Sequence, residues 1–272
     1  MNVAALLATI LLAGGTPERP AGDKPTVLRE IGFDQHLGAN VPLDLAFRDE
    51  AGRSVRLGDY FGKRPVVLSL NYYGCPMLCT VTLNGLASAL DVLSYTAGRE
   101  FEVVVVSFDP KETPELATQK KKAYLERYKR PGAAEGWHFL TGDAEDIERL
   151  TKAVGFRYAW DSDTKQFAHP AGVMVLTPEG KIARYLFGIE YAPKDLRFAV
   201  IEASEGKIGT PADQVVLSCF RYDPVSGRYS VAILRITRIG GLLTLVALVA
   251  FIVIMLRRES AARLFHPQGV RR

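Results

Sequence analysis

The chain has 272 residues, 48% of them apolar, with 34 Lys and Arg against 30 Asp and Glu and three cysteines. That length and apolar share support one good-sized core with appended elements, and an odd, sparse cysteine count argues against a disulfide framework. The formal charge of +4 equals that of residues 257–272, where Arg257, Arg258, Arg263, Arg271 and Arg272 oppose a single Glu259, so the rest is neutral on balance and lacks the basic face that nucleic-acid binding needs.

In chain order, the apolar run Asn2 to Ala13 has the length of a signal-peptide h-region and ends in small residues before a Pro-containing loop. Residues 1–15 are therefore expected to be a signal peptide and 16–40 a linker, although no Lys or Arg precedes Arg19. Leu43 to Arg48 and Ser54 to Leu57 flank Asp49 to Gly52, which predicts a hairpin with a Gly-containing turn. Val66 to Leu70 is an apolar run that predicts a buried strand.

Cys75 and Cys79 follow that strand and open a helical pattern. On a helix, positions four apart lie on one face with Cβ atoms roughly 5–6 Å apart, so the two sulfurs can close a disulfide or grip one metal ion. A helix N-terminus favours thiolate over thiol through its unpaired N–H groups and dipole. Leu83, Leu86, Leu90 and Leu93 then recur at core-facing spacing. Phe101 to Phe108 predicts a second buried strand, parallel to the first, and Asp109 stands just past its end. Thr113 is placed to cap a helix whose first residue is Pro114, and Lys120, Lys121 and Lys122 read as a solvated face of that helix. Trp137 to Leu140, a helix from Asp143 to about Val154, strands at Val173 to Leu176 and Ile182 to Phe187 and a helix after Pro193 complete a β-α alternation. That order predicts an α/β protein with a mostly parallel sheet covered by helices, and ligands at the carboxyl ends of its strands.

His169 precedes the strand at Val173 and supplies a third candidate ligand. Two thiolates and an imidazole suit copper: soft sulfur selects Cu(I), zinc or iron–sulfur clusters, and three donors leave one position open in a tetrahedral site. A structural disulfide and a merely capped histidine are the alternatives. His138 sits inside a strand pattern and reads as structural, while His36 and His266 have no evident partner.

Four segments together resemble the Sco/SenC family: Tyr73 to Cys79 with its Cys-Pro-x-x-Cys pattern, Val105 to Pro114, Phe139 to Gly142, and His169 followed by a strand and Thr177 to Gly180. The resemblance spans roughly Val41 to Ala203. It implies a thioredoxin-like fold with an N-terminal β-hairpin over 41–205, and copper, as Cu(I) or Cu(II), on Cys75, Cys79 and His169. It further implies delivery of that copper to the copper-binding subunit of cytochrome c oxidase during assembly, with a thiol reductant serving the cysteine pair. The family often carries an acid directly after the Cys-Pro pair, where this chain has Met77; a thioether is a soft donor but no base. Met77 and Asp109 are thus the candidates for supporting the ligands; Asp109 either replaces the missing charge or is a plain loop acid before Pro110. A rival from a different class is a thiol–disulfide oxidoreductase in which Cys75 and Cys79 are catalytic and His169 tunes the thiolate. Peroxide reduction is a weaker third option, since it needs an activating Arg that the sequence does not identify near Cys75.

Beyond the core, residues 206–238 read as a membrane-proximal β extension, two short strands around a turn at Asp223 to Gly227. Cys219 lies within it and is open to several readings: a buried hydrophobe, a partner thiol, an added ligand or an intermolecular bridge. Ile239 to Leu256 is an uncharged run long enough for a transmembrane helix, and 257–272 is a basic tail. The positive-inside rule then expects a single-pass protein of a bacterial-type inner membrane, its tail cytoplasmic and its main domain periplasmic, where the thiols must be kept reduced.

Overall fold

The structure, a computed structural model, describes residues 30–75, 78–208, 222–223, 228–229 and 231–264. The signal segment 1–15, Met77, Cys219, the turn after Asp223 and His266 lie outside the described residues. The chain divides into two compact units at Gly209/Thr210.

In the first unit β1 (Gly32–Phe33), the hairpin strands β2 (Ala46–Arg48) and β3 (Ser54–Arg56), and β4 (Val66–Asn71) lead into helix α1 (Leu78–Asp91). Then come β5 (Glu102–Ser107), α2 (Pro114–Tyr128), β6 (Trp137–Leu140), α3 (Ala144–Ala153), β7 (Phe156–Arg157), a small hairpin of β8 (Ala159–Asp161) and β9 (Gln166–Ala168), β10 (Gly172–Leu176), β11 (Ile182–Phe187) and α4 (Pro193–Ser204). The central sheet has the order β11-β10-β4-β5-β6. β4, β5 and β6 are parallel, and β10 runs antiparallel to both β4 and β11.

Every residue of β4 and β5 is buried, as expected of strands covered on both faces. Side chains alternate between two cores with the period of a strand. Val103 and Val105 pack with Leu83, Leu86 and Leu90 of α1, Tyr124 of α2 and Leu196 of α4. Val104 and Val106 pack with Leu45, Phe47 and Leu57 around the hairpin and with Ile147 and Leu150 of α3. The leucine stripe of α1 is therefore packing.

The sheet is mixed where the strand-helix alternation predicts mostly parallel pairing. The cause is the β7 to β9 stretch, which follows α3 without a crossover helix and returns the chain to the carboxyl end of β4. Consequently β10 begins where β4 ends, Met174 opposite Leu68 and Leu176 opposite Val66. His169, three residues before β10, is thereby brought beside the residues that follow β4.

Three local expectations change. Thr113 occupies the N-cap position before Pro114 but makes no capping bond to the helix backbone. Lys121, in the middle of the lysine run, is not a solvated charge, because it pairs with Glu50 of the β2–β3 turn with both side chains under one-fifth exposed. His36 does have a partner, its Nδ1 lying 3.0 Å from the carbonyl oxygen of Ala153. His138 is structural, as expected: Nε2 is 3.1 Å from Glu102, which also binds Arg64, and its ring lies on Tyr60.

In the second unit β12 (Tyr222–Asp223) pairs antiparallel with β13 (Arg228–Tyr229), followed by the 34-residue helix α5 (Val231–Leu264). From Ile239 to Met255 every side chain of α5 is uncharged and exposed. Among the described residues no helix is long and apolar enough to cross a membrane.

Candidate metal centre

The site stands at the carboxyl end of the sheet, where the backbone leaves β4 through Tyr72, Tyr73 and Gly74 and enters α1. A turn closed by the N–H of Cys75 on the carbonyl of Tyr72 (3.3 Å) reverses the chain. Cys79 lies in the first turn of α1, and its N–H donates to the sulfur of Cys75 at 3.4 Å. The N–H of Tyr72 donates in turn to the sulfur of Cys79 at 3.4 Å. Each sulfur therefore accepts a backbone N–H, which favours negative charge on it. Both residues carry thiols and not a disulfide.

His169 completes the group. Its Nε2 lies 3.1 Å from the sulfur of Cys79, and its Nδ1 lies 2.9 Å from the carbonyl of Pro170. A carbonyl only accepts, so Nδ1 carries the proton and Nε2 presents its lone pair to the sulfur. This is the arrangement that fixes the tautomer of a metal-binding histidine. The two sulfurs and one ring nitrogen all lie within 4.8 Å of one another, and all three residues are buried. Metal bonds of about 2.0–2.3 Å would hold donors of a trigonal site ~4 Å apart, so small side-chain rotations suffice to close on an ion. Burial first, and Cys75 beside it second, push the Cys79 thiol far above its ordinary pKa, so proton loss there needs a compensating positive charge.

Aromatic rings wall the histidine. Phe108 stands 5.2 Å from its ring centroid, Tyr72 6.0 Å and Phe156 6.2 Å. Phe167 of β9 packs on Tyr72 and Phe108 behind them. Such a wall limits water and lowers the local dielectric.

The carboxylate that reaches the cysteine turn is Glu112. It accepts the N–H groups of Tyr73 (2.6 Å) and Gly74 (2.5 Å) and the hydroxyl of Ser107 (2.5 Å). Asp109 is half-buried and engaged locally, accepting the N–H of Lys111 at 3.0 Å. Sequence reasoning passed over Glu112 although it falls in the segment Val105 to Pro114. An acid at the carboxyl edge of a sheet, one residue before a helix cap, was the available signal. The aromatic wall left no such signal, because its members come from four separate elements.

A family model described as SCO1/SenC matches residues 35–201. Over 124 residues the chain is 25% identical to a Stutzerimonas stutzeri protein described as "Putative copper-binding protein", a match covering 44% of this chain and 56% of that one. The chain thus spans about half the length of that curated relative. A crystal structure of a "putative electron transfer protein" from Aquifex aeolicus VF5 is 30% identical, with a TM-score of 0.56 over 63% of this chain and 96% of that one. Copper-bound Arabidopsis thaliana ScoI has the same fold at 19% identity, with a TM-score of 0.50 over 63% of this chain and 99% of that chain. Because the family match runs without a break through both thiols, the Glu112 loop and His169, and covers more than half of the residues, this chain belongs to the SCO1/SenC family.

Proposed function

We propose that the protein is a copper chaperone that holds copper on Cys75, Cys79 and His169 as cargo and passes it, by ligand exchange, to the copper-binding subunit of cytochrome c oxidase. The carrying observation is the placement of the His169 Nε2 lone pair 3.1 Å from the Cys79 sulfur, with the Cys75 sulfur in the same cluster. Two soft sulfurs and one nitrogen fit copper, and a three-donor site leaves a position for an incoming ligand of the client. The copper-binding description of the Stutzerimonas relative supports the reading. Each sulfur already accepts a backbone N–H, so the chain itself supplies part of the stabilisation that the bound thiolates need.

The membrane anchor belongs to this proposal. Ile239 to Leu256 is an uncharged run of eighteen residues, within the range that spans a bilayer, and the basic tail behind it favours a periplasmic main domain and a cytoplasmic C-terminus. A tether raises the effective concentration of the site beside a membrane-bound client. The division into signal segment, linker, Sco domain, extension, anchor and tail is part of the same reading.

A second reading, thiol–disulfide exchange on client cysteines, is favoured by the N–H of Cys79 on the Cys75 sulfur, which supports a thiolate nucleophile at Cys75 with Cys79 as the resolving thiol. X-ray absorption on the full-length chain loaded with Cu(I) separates the two. We expect a shell of two sulfurs and one nitrogen that loses its nitrogen in His169→Ala. A protein that takes up no copper, yet cycles between dithiol and disulfide, would establish exchange in place of delivery.

A further inference from the structure

We propose that the cavity between the β2–β3 hairpin and the start of α2 binds a phosphate group, held by Arg48, Ser54, Lys111 and Thr141. The cavity has a volume of about 320 Å³, at the low end of the range for small-molecule sites. It lies at the carboxyl ends of β5 and β6, the edge where open α/β sheets bind ligands. Thr141 lines it, is 2% exposed, and has a hydroxyl with no hydrogen-bond partner among the described residues. Buried hydroxyls ordinarily find one, and the surroundings point to an acceptor brought in from outside.

Strand register brings the donors together. Thr141 follows the last residue of β6 and exchanges backbone bonds with Arg48 in both directions, at 2.7 and 2.9 Å, while Arg48 pairs with Ser54 across the hairpin. Residues directly opposite in antiparallel strands carry their side chains on one face, so Ser54, Arg48 and Thr141 form a row. Alternation along β6 fixes the face. Leu140 belongs to the core with Ile147 and Leu150 of α3, and Phe139 to the core with Tyr124 of α2, so Thr141 turns toward α2. There Thr113 and Pro114 close the cavity, with the positive end of a 15-residue helix behind them. The acid of its first turn, Glu115, is spent on the Thr113 hydroxyl and its own N–H. Lys111 adds a second positive charge to that of Arg48. Two acids line the same cavity. Glu112 has its oxygens bonded to Tyr73, Gly74 and Ser107, and Asp143 is exposed, where solvent and salt screen it. Two charged donors and two hydroxyls on one small cavity match the several acceptor oxygens of a phosphate group.

The test is calorimetric titration of the full-length, metal-free chain with inorganic phosphate at constant ionic strength. We expect saturable binding that weakens about tenfold in Thr141→Val and at least as much in Arg48→Gln, since each change removes a hydrogen bond to a charged group. Thr141→Val deletes a hydroxyl that has no partner in the free protein, so without phosphate the variant should melt no lower than wild type. Added phosphate should then raise the melting temperature of wild type more than that of the variant. Methyl phosphate, titrated alongside, separates two sources of the group: tighter binding than the free ion assigns the site to a phosphate ester, weaker binding to the ion itself. Lys122→Gln removes an exposed charge of α2 that does not line the cavity. Phosphate binding that is absent from wild type, unchanged in Thr141→Val, or lowered as far by Lys122→Gln as by Arg48→Gln would overturn the proposal.

Discussion

Glu112 offers the sharpest perturbation, because one carboxylate gathers three donors from two segments and sets the turn that presents Cys75. In Glu112→Ala the three donors fare differently. Gly74 is exposed, so its N–H turns to water at little cost. Tyr73 is 2% exposed, so its N–H is left unmet where water has poor access. The Ser107 hydroxyl retains a long contact to the Asp109 carbonyl at 3.4 Å. One unmet buried donor costs about 1–3 kcal/mol and the lost charge-assisted bond to Ser107 about 1.5 kcal/mol, so we expect about 3–4 kcal/mol of destabilisation. Glu112→Gln keeps one accepting oxygen and sets an amide donor against a backbone donor, for about 2 kcal/mol. In a domain of this size, thermal melting should fall by about 10 °C for Ala and about half that for Gln. Cu(I) affinity, measured by chelator competition well below the melting temperature, should drop about tenfold in the Ala protein as the turn before Cys75 loosens. A Glu112→Ala protein with wild-type melting and wild-type Cu(I) affinity would refute the role assigned to this carboxylate.

Gly136→Ala should be severely destabilising, by about 3 kcal/mol or more, since an added Cβ would meet the backbone nitrogen of Gly98 at 1.9 Å; a urea midpoint within error of wild type would contradict the close backbone approach. Asp49 gives a pH signature. Burial raises its pKa, but the N–H groups of Arg53 and Ala51 and the Arg53 guanidinium outweigh burial and hold it below the ordinary range. Its stabilisation is therefore present above about pH 4, the unfolded value, and is lost as pH falls through the lower folded value. Asp49→Asn should lie below wild type in stability at pH 7 and converge with it under acid; a gap that persists unchanged at pH 3 would rule this out. His169→Ala should leave the Cys pair able to form a disulfide while removing the nitrogen from the copper shell, read by X-ray absorption together with thiol counting.

Much of this was legible in the sequence because it depends on local patterns. The buried strands at Val66 and Val103, the leucine stripe of α1 and the Pro114 helix start each follow from runs of a few residues. The pair Cys75 and Cys79 was visible from spacing, and His169 from its position before a strand. Antiparallel β10 was not visible, since strand direction is decided by where the chain re-enters the sheet. Glu112 and the aromatic wall were hidden for a related reason: their partners lie tens of residues away, and only the packed fold brings them together. The lysine run misled because Lys121 finds Glu50, a partner 71 residues distant, that no helical periodicity reveals.

The separation of 90 residues between Cys79 and His169 also orders events during folding. The dithiol turn and α1 are nearly contiguous in sequence and can form early, whereas His169 arrives only when β10 closes a long loop against β4, a slow kind of contact. A nascent chain thus exposes its two cysteines before their histidine and aromatic cover exist. During that interval the pair is more open to oxidants than in the finished domain, where both cysteines are buried, so supplying reductant while the chain folds protects the site more than supplying it afterwards.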